Sequence, residues 1–191
     1  AVKAYTVPAN LGGNVGLLAL RKRLKQRGLS LILDFVANHT ARDHQWVSRH
    51  PEYYVNGSET EDAQQSAYYF KAKTAKGYSV LAFGRDPNYP GWTDTAQLNI
   101  RHPATRKAML SSLKRVAAMC DGVRCDMAML LLNDVFEKTW GERPVPDGHE
   151  PAPGEFWAEA IRTVKEGYPD FKFIAEVYWD REWHLQQLGF D

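Results

Sequence analysis

Three parts of this chain combine a helix-forming segment with a short apolar run directly after it, and this repetition limits the fold more than any other feature. In the first part, residues 15–27 place leucines at helical spacing against basic side chains and end at Gly28, where a left-handed cap is expected. The apolar run 29–33 follows at once and leads into DFVANH at residues 34–39. Such a run is typical of a strand covered on both faces of a parallel sheet.

The same order recurs twice further along the chain. A helix beginning at Pro103 is predicted to precede a strand at residues 121–126, and a helix beginning at Pro153 to precede a strand at residues 171–178. Repeated helix-then-strand units indicate parallel strands joined by crossover helices. An open nucleotide-binding sheet would need a glycine-rich phosphate turn after a strand, and the sequence has none. The sequence therefore favours a barrel, whose active sites lie at the carboxyl ends of its strands.

The repeats divide the chain into three segments. Residues 1–39 and 103–191 carry the helix-and-strand units, whereas residues 40–102 are rich in Tyr, Trp, Gly, Asp and Pro and have weak periodicity. An interruption of this length is typical of a loop-borne insertion, and insertions of this kind usually carry function. We therefore predict a long insertion between the first and second strands.

Composition restricts the partners and the location. The 191 residues include 24 basic and 23 acidic side chains, so the formal net charge of +1 gives no field that would attract nucleic acid or an anionic membrane. No stretch approaches the ~20 apolar residues of a membrane helix.

A strand would hold Cys120 and Cys125 roughly 16 Å apart, too far for a disulfide. Reduced cysteines favour a cytoplasmic location; secretion stays open because the chain, which lacks an initial Met, is predicted to be an excerpt.

Acidic side chains lie at the ends of all three predicted strands. They are Asp34, Asp126 and Glu176, and the carboxyl ends of parallel strands meet at one rim. Neighbouring strands lie about 4.8 Å apart. If Asp126 and Glu176 are level on adjacent strands, their carboxyl groups should be about 5–5.5 Å apart, the spacing of retaining glycosidases.

The surroundings of this pair predict different protonation behaviour for its two members. Arg124 lies two residues before Asp126 and therefore points to the same face of the strand, where it should lower the pKa of Asp126. Apolar and aromatic residues flank Glu176 in sequence, which should raise its pKa towards that of a general acid. Asp126 is thus predicted to be the nucleophile and Glu176 the acid.

The three strand ends also carry a family resemblance. DFVANH at 34–39, DGVRCD at 121–126 and AEVYW at 175–179 resemble, in order and spacing, the first three conserved regions of the α-amylase family, glycoside hydrolase family 13. The resemblance covers nearly all of the chain. It implies part of a (β/α)8 barrel, about strands three to five, and a retaining α-glycosidase or α-glucan transglycosylase acting on an α-glucan or oligosaccharide.

The resemblance also implies a role for each matching residue. Asp126 would be the nucleophile, Glu176 the general acid/base and Arg124 the partner of the nucleophile. His39 would contact the sugar in the cleavage subsite, and Asp34 would be a structural and substrate-side carboxylate, although an acid at a strand end also caps turns. No cofactor is required for the chemistry.

Asn38 matches a position that binds a structural calcium ion in many members of the family but not in all. The chain also departs from the family pattern. The fourth conserved region, which supplies a third catalytic aspartate, lies beyond Asp191, and residues 127–130 are Met-Ala-Met-Leu where many α-amylases have a Lys-His pair. Hydrolysis and transglycosylation of α-glucans both stay open.

Two other functions compete with this one. An incomplete barrel would leave open sheet edges, through which the chain could self-associate and have only an assembly or binding role. A metal-dependent barrel hydrolase could use Asp34, His39 and Asp126 as ligands. The fixed positive charge of Arg124 beside Asp126 opposes a cation there.

Overall fold

The computed structural model describes residues 1–143 and 145–191, with helices and strands at the following positions. The helices are α1 Gly13–Lys25, α2 Gln45–Arg49, α3 Glu59–Gln64, α4 Pro103–Ala117, α5 Asn133–Trp140, α6 Phe156–Lys165 and α7 Glu182–Gln187. The strands are β1 Ile32–Phe35, β2 His39–Ala41, β3 Tyr69–Thr74, β4 Gly77–Ala82, β5 Thr95–Gln97, β6 Gly122–Cys125 and β7 Lys172–Ala175.

The parallel strands predicted from the repeats are confirmed. They form one sheet in the order β1-β6-β7, with β1 parallel to β6 and β6 parallel to β7. β6 and β7 are shorter than the predicted strands at 121–126 and 171–178, and β1 begins and ends later than the apolar run 29–33. This arrangement of strands and preceding helices is part of a (β/α)8 barrel, as predicted.

The first helix ends where the sequence indicated. Gly28 has a φ of +70°, its N–H donates to the carbonyl of Lys25, and the N–H of Leu29 donates to the carbonyl of Leu24. These two bonds form a Schellman motif, which favours glycine at the left-handed position. The covered environment predicted for the first strand is not observed: Ile32 and Leu33 are partly exposed and Phe35 is buried, because β1 lies at the edge of the sheet.

The insertion has more structure than its weak periodicity indicated. β3 and β4 form an antiparallel hairpin, and β2 pairs antiparallel with β5, which aligns His39 with Gln97. His39, the last residue of the first predicted segment, is therefore the first residue of a strand in this second sheet. The segment boundaries at 39 and 102 stay a prediction.

The hydrophobic core includes residues of the parallel sheet and of the helices α4 and α6 and continues into the insertion. Val123, Phe173, Leu113 and Trp157 are all fully or almost fully buried there. A close approach of strands occurs at Gly122, where a Cβ atom would lie 2.7 Å from the carbonyl oxygen of Lys172. Only glycine fits this spacing without moving a neighbouring strand.

Cys120 and Cys125 are buried and do not form a disulfide, as predicted. Within residues 1–143 and 145–191, no helix has both the length and the apolar character that crossing a membrane requires.

Candidate active site

The two predicted catalytic residues leave the sheet at the same level. Cys125 of β6 pairs with Ala175 of β7, so Asp126 and Glu176 each follow a paired residue directly. The N–H of Glu176 donates to the carbonyl of Cys125 at 2.9 Å, which continues the ladder by one residue. This register places both carboxylates on one face of the same rim. The separation of about 5–5.5 Å predicted for their carboxyl groups stays a prediction.

Arg124 joins the acidic side chains of all three strands. Its Nη1 donates to Asp34 Oδ1 and to Asp126 Oδ1, each at 3.1 Å, and its Nη2 lies 2.8 Å from Glu176 Oε2. The predicted pair of Arg124 with Asp126 is therefore present, with Asp34 and Glu176 on the same guanidinium. Three carboxylates share one permanent cation, and such crowding favours a bound proton on one of them.

Glu176 receives two further hydrogen bonds. The N–H of Met127 donates to Oε2 at 2.9 Å, and the Tyr178 hydroxyl donates to Oε1 at 3.1 Å. Met127 has a φ of +45°, which is rare for a residue with a side chain. This left-handed turn directly after Asp126 directs the Met127 N–H to the neighbouring carboxylate.

The predicted difference in protonation is wrong in direction. Burial and the nearby Glu176 raise the pKa of Asp126 above its ordinary value. Burial alone would also raise the pKa of Glu176, but hydrogen bonds from Met127 and Tyr178 and the charge of Arg124 lower it overall. Burial is the largest cause at both carboxyl groups; the donors to Glu176 outweigh it, whereas the contact with Arg124 does not outweigh it at Asp126.

The residues that neighbour Glu176 along the chain do not determine its surroundings in the folded structure. Ile174, Tyr178 and Trp179 are 44%, 51% and 40% exposed and do not form an apolar shell around the carboxyl group. Tyr178 lies two residues after Glu176 in the segment that follows β7, and its hydroxyl donates to the Glu176 carboxyl group there. The same spacing could have identified Tyr178 from the sequence.

His39 lies at the wall of a cleft that also contains Asp126. The cleft has a volume of about 290 Å³ and is lined by His39, Trp92, Asp94, Asp126 and Met127, among others. The His39 and Trp92 ring centroids are 5.3 Å apart. Burial lowers the pKa of His39 to about 4, so the ring is neutral at physiological pH. A neutral imidazole beside an aromatic ring is suited to contacting a sugar hydroxyl.

Trp92 and Gln97 were not among the predicted site residues; an aromatic residue such as Trp92 can stack on a sugar ring, but packing of the insertion was the favoured interpretation. Trp92 reaches His39 because its N–H donates to the carbonyl of Gly84, while the Gly84 N–H donates to Thr95 Oγ1. These two hydrogen bonds connect Gly84 and Trp92 of the insertion with Thr95, the first residue of β5. The aromatic wall of the cleft therefore depends on long-range pairing within residues 40–102.

Asn38 is almost fully buried and forms an amide pair with Gln97. Gln97 Nε2 donates to Asn38 Oδ1 at 2.9 Å, and Asn38 Nδ2 donates to Gln97 Oε1 at 3.2 Å. Calcium prefers several oxygen ligands including carboxylates. Within the part of the chain that the structure describes, no group of three or more His, Cys, Asp or Glu side chains converges as metal ligands. Calcium binding at Asn38 stays a prediction, and its contacts fit a structural amide pair better than a calcium site.

A further tyrosine that the sequence did not single out as a site residue supports the end of β1. The Tyr5 hydroxyl donates to the carbonyl of Val36 at 2.8 Å and accepts from the Val36 N–H at 2.9 Å. The Tyr5 ring stacks on Phe35 with centroids 5.1 Å apart. These contacts fix the chain where it leaves β1 towards His39.

Comparison with known proteins agrees with this geometry. A family profile described as "Alpha amylase, catalytic domain" matches residues 3–189. The chain is 23% identical over 181 residues to Alpha-amylase 3 of Dictyoglomus thermophilum, covering 88% of this chain and 30% of that protein. It is 25% identical over 174 residues to an oligo-1,6-glucosidase of Parageobacillus thermoglucosidasius, covering 82% and 28%. The chain thus spans less than a third of the length of these relatives.

Solved structures show the same fold. An α-amylase from H. orenii superposes with a TM-score of 0.64 at 21% identity, covering 98% of this chain and 37% of that one. An α-amylase from Geobacillus thermoleovorans, solved in complex with acarbose, gives a TM-score of 0.57 at 20% identity, covering 98% and 35%. The parallel strands, the level carboxylates and the profile match over almost the whole chain lead to one conclusion: this chain belongs to the α-amylase catalytic-domain family.

Proposed function

We propose that the protein carrying this chain is a retaining α-glycosidase or α-glucan transglycosylase, with Asp126 as nucleophile and Glu176 as general acid/base. The observation that carries the proposal is the set of Arg124 contacts to Asp126 at 3.1 Å and to Glu176 at 2.8 Å on level strands. Two carboxylates in this arrangement supply the two groups that double displacement requires.

In the first step, Asp126 attacks the anomeric carbon while Glu176 protonates the departing glycosidic oxygen. A covalent glycosyl ester forms on Asp126, and the leaving sugar takes the proton from Glu176. In the second step, Glu176 removes a proton from water or an acceptor hydroxyl, which attacks the same carbon and releases Asp126. The proton returns to Glu176, so the cycle is balanced.

The proton must be on Glu176 and not on Asp126 when the substrate reacts. In the free site Arg124 lies closer to Glu176 than to Asp126, which favours ionised Glu176. A sugar ring bound between the two carboxylates would separate Glu176 from the guanidinium, and Arg124 would then pair with Asp126 and no longer with Glu176. Substrate binding would then move the proton to the acid, because removing a cation raises the pKa of a carboxyl group.

An α-glucan is the proposed substrate class. The relatives are named α-amylase and oligo-1,6-glucosidase, and one similar α-amylase was solved with acarbose bound. His39 and Trp92 in the cleft beside Asp126 offer a polar edge and an aromatic face to a sugar ring. Asp34 is proposed as a substrate-side carboxylate that also holds Arg124.

The competing functions have less support. A cation bound by Asp34 and Asp126 would have to displace Arg124, which contacts both. Self-association through the edge strands β1 and β7 stays a prediction, tested by the oligomeric state in solution. We also propose a cytoplasmic location, supported by the unpaired thiols of Cys120 and Cys125 and tested by cell fractionation.

Covalent trapping tests the nucleophile. The protein carrying this chain is treated with a mechanism-based α-glucosidase label, digested and analysed by mass spectrometry. The expected result is one modified peptide with the label on Asp126, and no labelling of an Asp126→Asn variant. A label on any other residue, or none with an enzyme that still turns over, would contradict the assignment.

A further inference from the structure

The two carboxyl oxygens of Glu176 have different surroundings. Oε2 accepts a hydrogen bond from the Met127 N–H at 2.9 Å and lies 2.8 Å from Nη2 of Arg124. Oε1 accepts from the Tyr178 hydroxyl at 3.1 Å. The charged and titratable groups that face Glu176 from the packed elements are Arg124 and Asp126 of the β6 segment and Tyr178 of its own segment.

This difference decides where an acidic proton can be held. Both donors at Oε2 are N–H groups that cannot accept a hydrogen bond, so a proton on Oε2 would point at other hydrogens. The Tyr178 hydroxyl can donate to an ionised carboxylate and accept from a protonated one. At Oε1 the Tyr178 hydroxyl can therefore be a hydrogen-bond partner of Glu176 in both protonation states, and Asp126 is the other carboxyl group within hydrogen-bonding range of Glu176.

We propose that Tyr178 is a positioning residue for the general acid: its hydroxyl holds Oε1 of Glu176 as the proton-bearing oxygen of the catalytic pair. The inference rests on the proposed function, because it assigns the proton of that acid to one atom. It adds a residue outside the charged cluster of Arg124, Asp34 and Asp126.

The backbone after Tyr178 supports a fixed orientation. Trp179 and Asp180 have φ values of +64° and +56°, two successive left-handed residues with side chains. A bulky residue such as tryptophan rarely adopts this region, and such outliers occur where the surrounding structure determines them. Trp179 and Asp180 thus form a left-handed turn directly after Tyr178, as Met127 does directly after Asp126.

A Tyr178→Phe variant tests the inference in the protein that carries this chain. Removing the hydroxyl removes a hydrogen bond to the ionised form of Glu176, so the pKa of Glu176 should rise. The basic limb of the kcat/KM profile reports the coupled Asp126–Glu176 pair in the free enzyme, and we expect it to move upward by about half a unit to one unit, with KM nearly unchanged. The kcat should fall by roughly 3- to 10-fold for substrates with poor leaving groups, and less for activated ones.

Tyr168→Phe is the matched control. Tyr168 is 41% exposed, compared with 51% for Tyr178, and it lies before β7, at the opposite end from Glu176. This variant should leave the profile unchanged. Direct titration of the Glu176 carboxyl by ¹³C NMR, in the wild type and in Tyr178→Phe, gives a second readout that does not require turnover.

An unmoved basic limb together with an unmoved NMR titration in Tyr178→Phe would overturn the inference. That failure differs from failure of the proposed function. If Asp126 is labelled and Glu176→Gln loses activity in proportion to leaving-group basicity, the catalytic pair stands and Tyr178 alone is wrongly assigned. If the label lies elsewhere, the catalytic pair itself is wrong.

Discussion

Two arginines organise this molecule in different ways. Arg124, at the rim of the parallel sheet, contacts three carboxylates. Arg143, beyond α5, forms an ion pair with Glu61 of α3, donates to the Tyr69 hydroxyl at 2.6 Å and donates to the carbonyl of Trp140 at 3.0 Å. The second arginine ties the insertion to the barrel segment.

The difference between them lies in how charge is balanced. Around Arg143 one carboxylate meets one guanidinium, and Arg143 lowers the pKa of Glu61 to about 2, so both groups stay ionised near neutral pH. Around Arg124 the acidic groups outnumber the cation, and a proton has to be distributed among them. A balanced pair is suited to holding two segments together, whereas an unbalanced one is suited to moving a proton. The following substitutions test this distinction.

The largest effect is expected from Glu176→Gln, compared with Glu61→Gln in the balanced pair. Loss of the acid should lower kcat/KM by on the order of 10²- to 10⁴-fold for substrates with poor leaving groups, and much less for activated ones. Glu61→Gln should leave kcat/KM within a few-fold, because it lies outside the cleft. Steady-state kinetics with a series of aryl glycosides measures both. If Glu176→Gln lowered kcat/KM equally for all leaving groups, the assignment of Glu176 as the acid would be contradicted.

The next largest effect is expected from Arg124→Lys, with Arg143→Lys as its counterpart. A lysine ammonium cannot span Asp126 and Glu176 as the planar guanidinium does, so kcat/KM should fall by roughly 10- to 100-fold. Because the rim is partly exposed, the free energy of unfolding should change by less than about 1 kcal/mol. Arg143→Lys should show the reverse, with stability lost and kcat retained. If Arg124→Lys were destabilised with unchanged kcat, the two arginines would have the same structural role.

A smaller effect, on stability alone, is expected from Arg143→Met. The pKa of Glu61 is lowered in the folded state, so its ion pair stabilises the protein above the ordinary pKa near 4.5, and this is lost as pH falls towards 2. The variant should lose about 1–2 kcal/mol at pH 7, a value reduced for partial solvent screening, and should approach the wild type at low pH. Urea unfolding across this pH range measures the difference. A constant difference at all pH values would indicate lost packing and not a lost ion pair.

The smallest effect is expected from Asp34→Asn. The Asp34 side chain is 68% exposed, so its loss should change the free energy of unfolding by no more than about 0.5 kcal/mol. Without the Asp34 carboxylate, Arg124 still contacts Asp126 and Glu176. The kcat/KM should therefore fall by less than roughly 10-fold. A loss as large as that of Glu176→Gln would place Asp34 in the chemistry.

The sequence predicted the parallel sheet and the level positions of Asp126 and Glu176 because both depend on local order. Each helix lies next to the strand it precedes, and consecutive parallel strands bring equivalent ends together. The sheet of the insertion was not predicted, because β2 and β5 are more than fifty residues apart and each is only three residues long. Pairing between such short strands depends on tertiary contacts more than on periodicity.

The direction of the pKa shifts could not be predicted for a related reason. The pKa of Glu176 depends on which atoms donate to it, and the Met127 N–H does so because of a left-handed backbone that the sequence Asp-Met-Ala does not indicate. Residue types and spacing identified the carboxylates. Their protonation depends on single hydrogen bonds, which only the folded backbone defines.

Gly122 allows β6 and β7 to pair closely because it has no side chain. It begins β6 at the end of the strand opposite Asp126, about 13 Å away along the chain. Any side chain there would act as a wedge against Lys172 and force β7 away from β6. The close pairing of β6 with β7, which the carboxyl groups of Asp126 and Glu176 directly follow, thus depends on a missing side chain at the far end of the sheet.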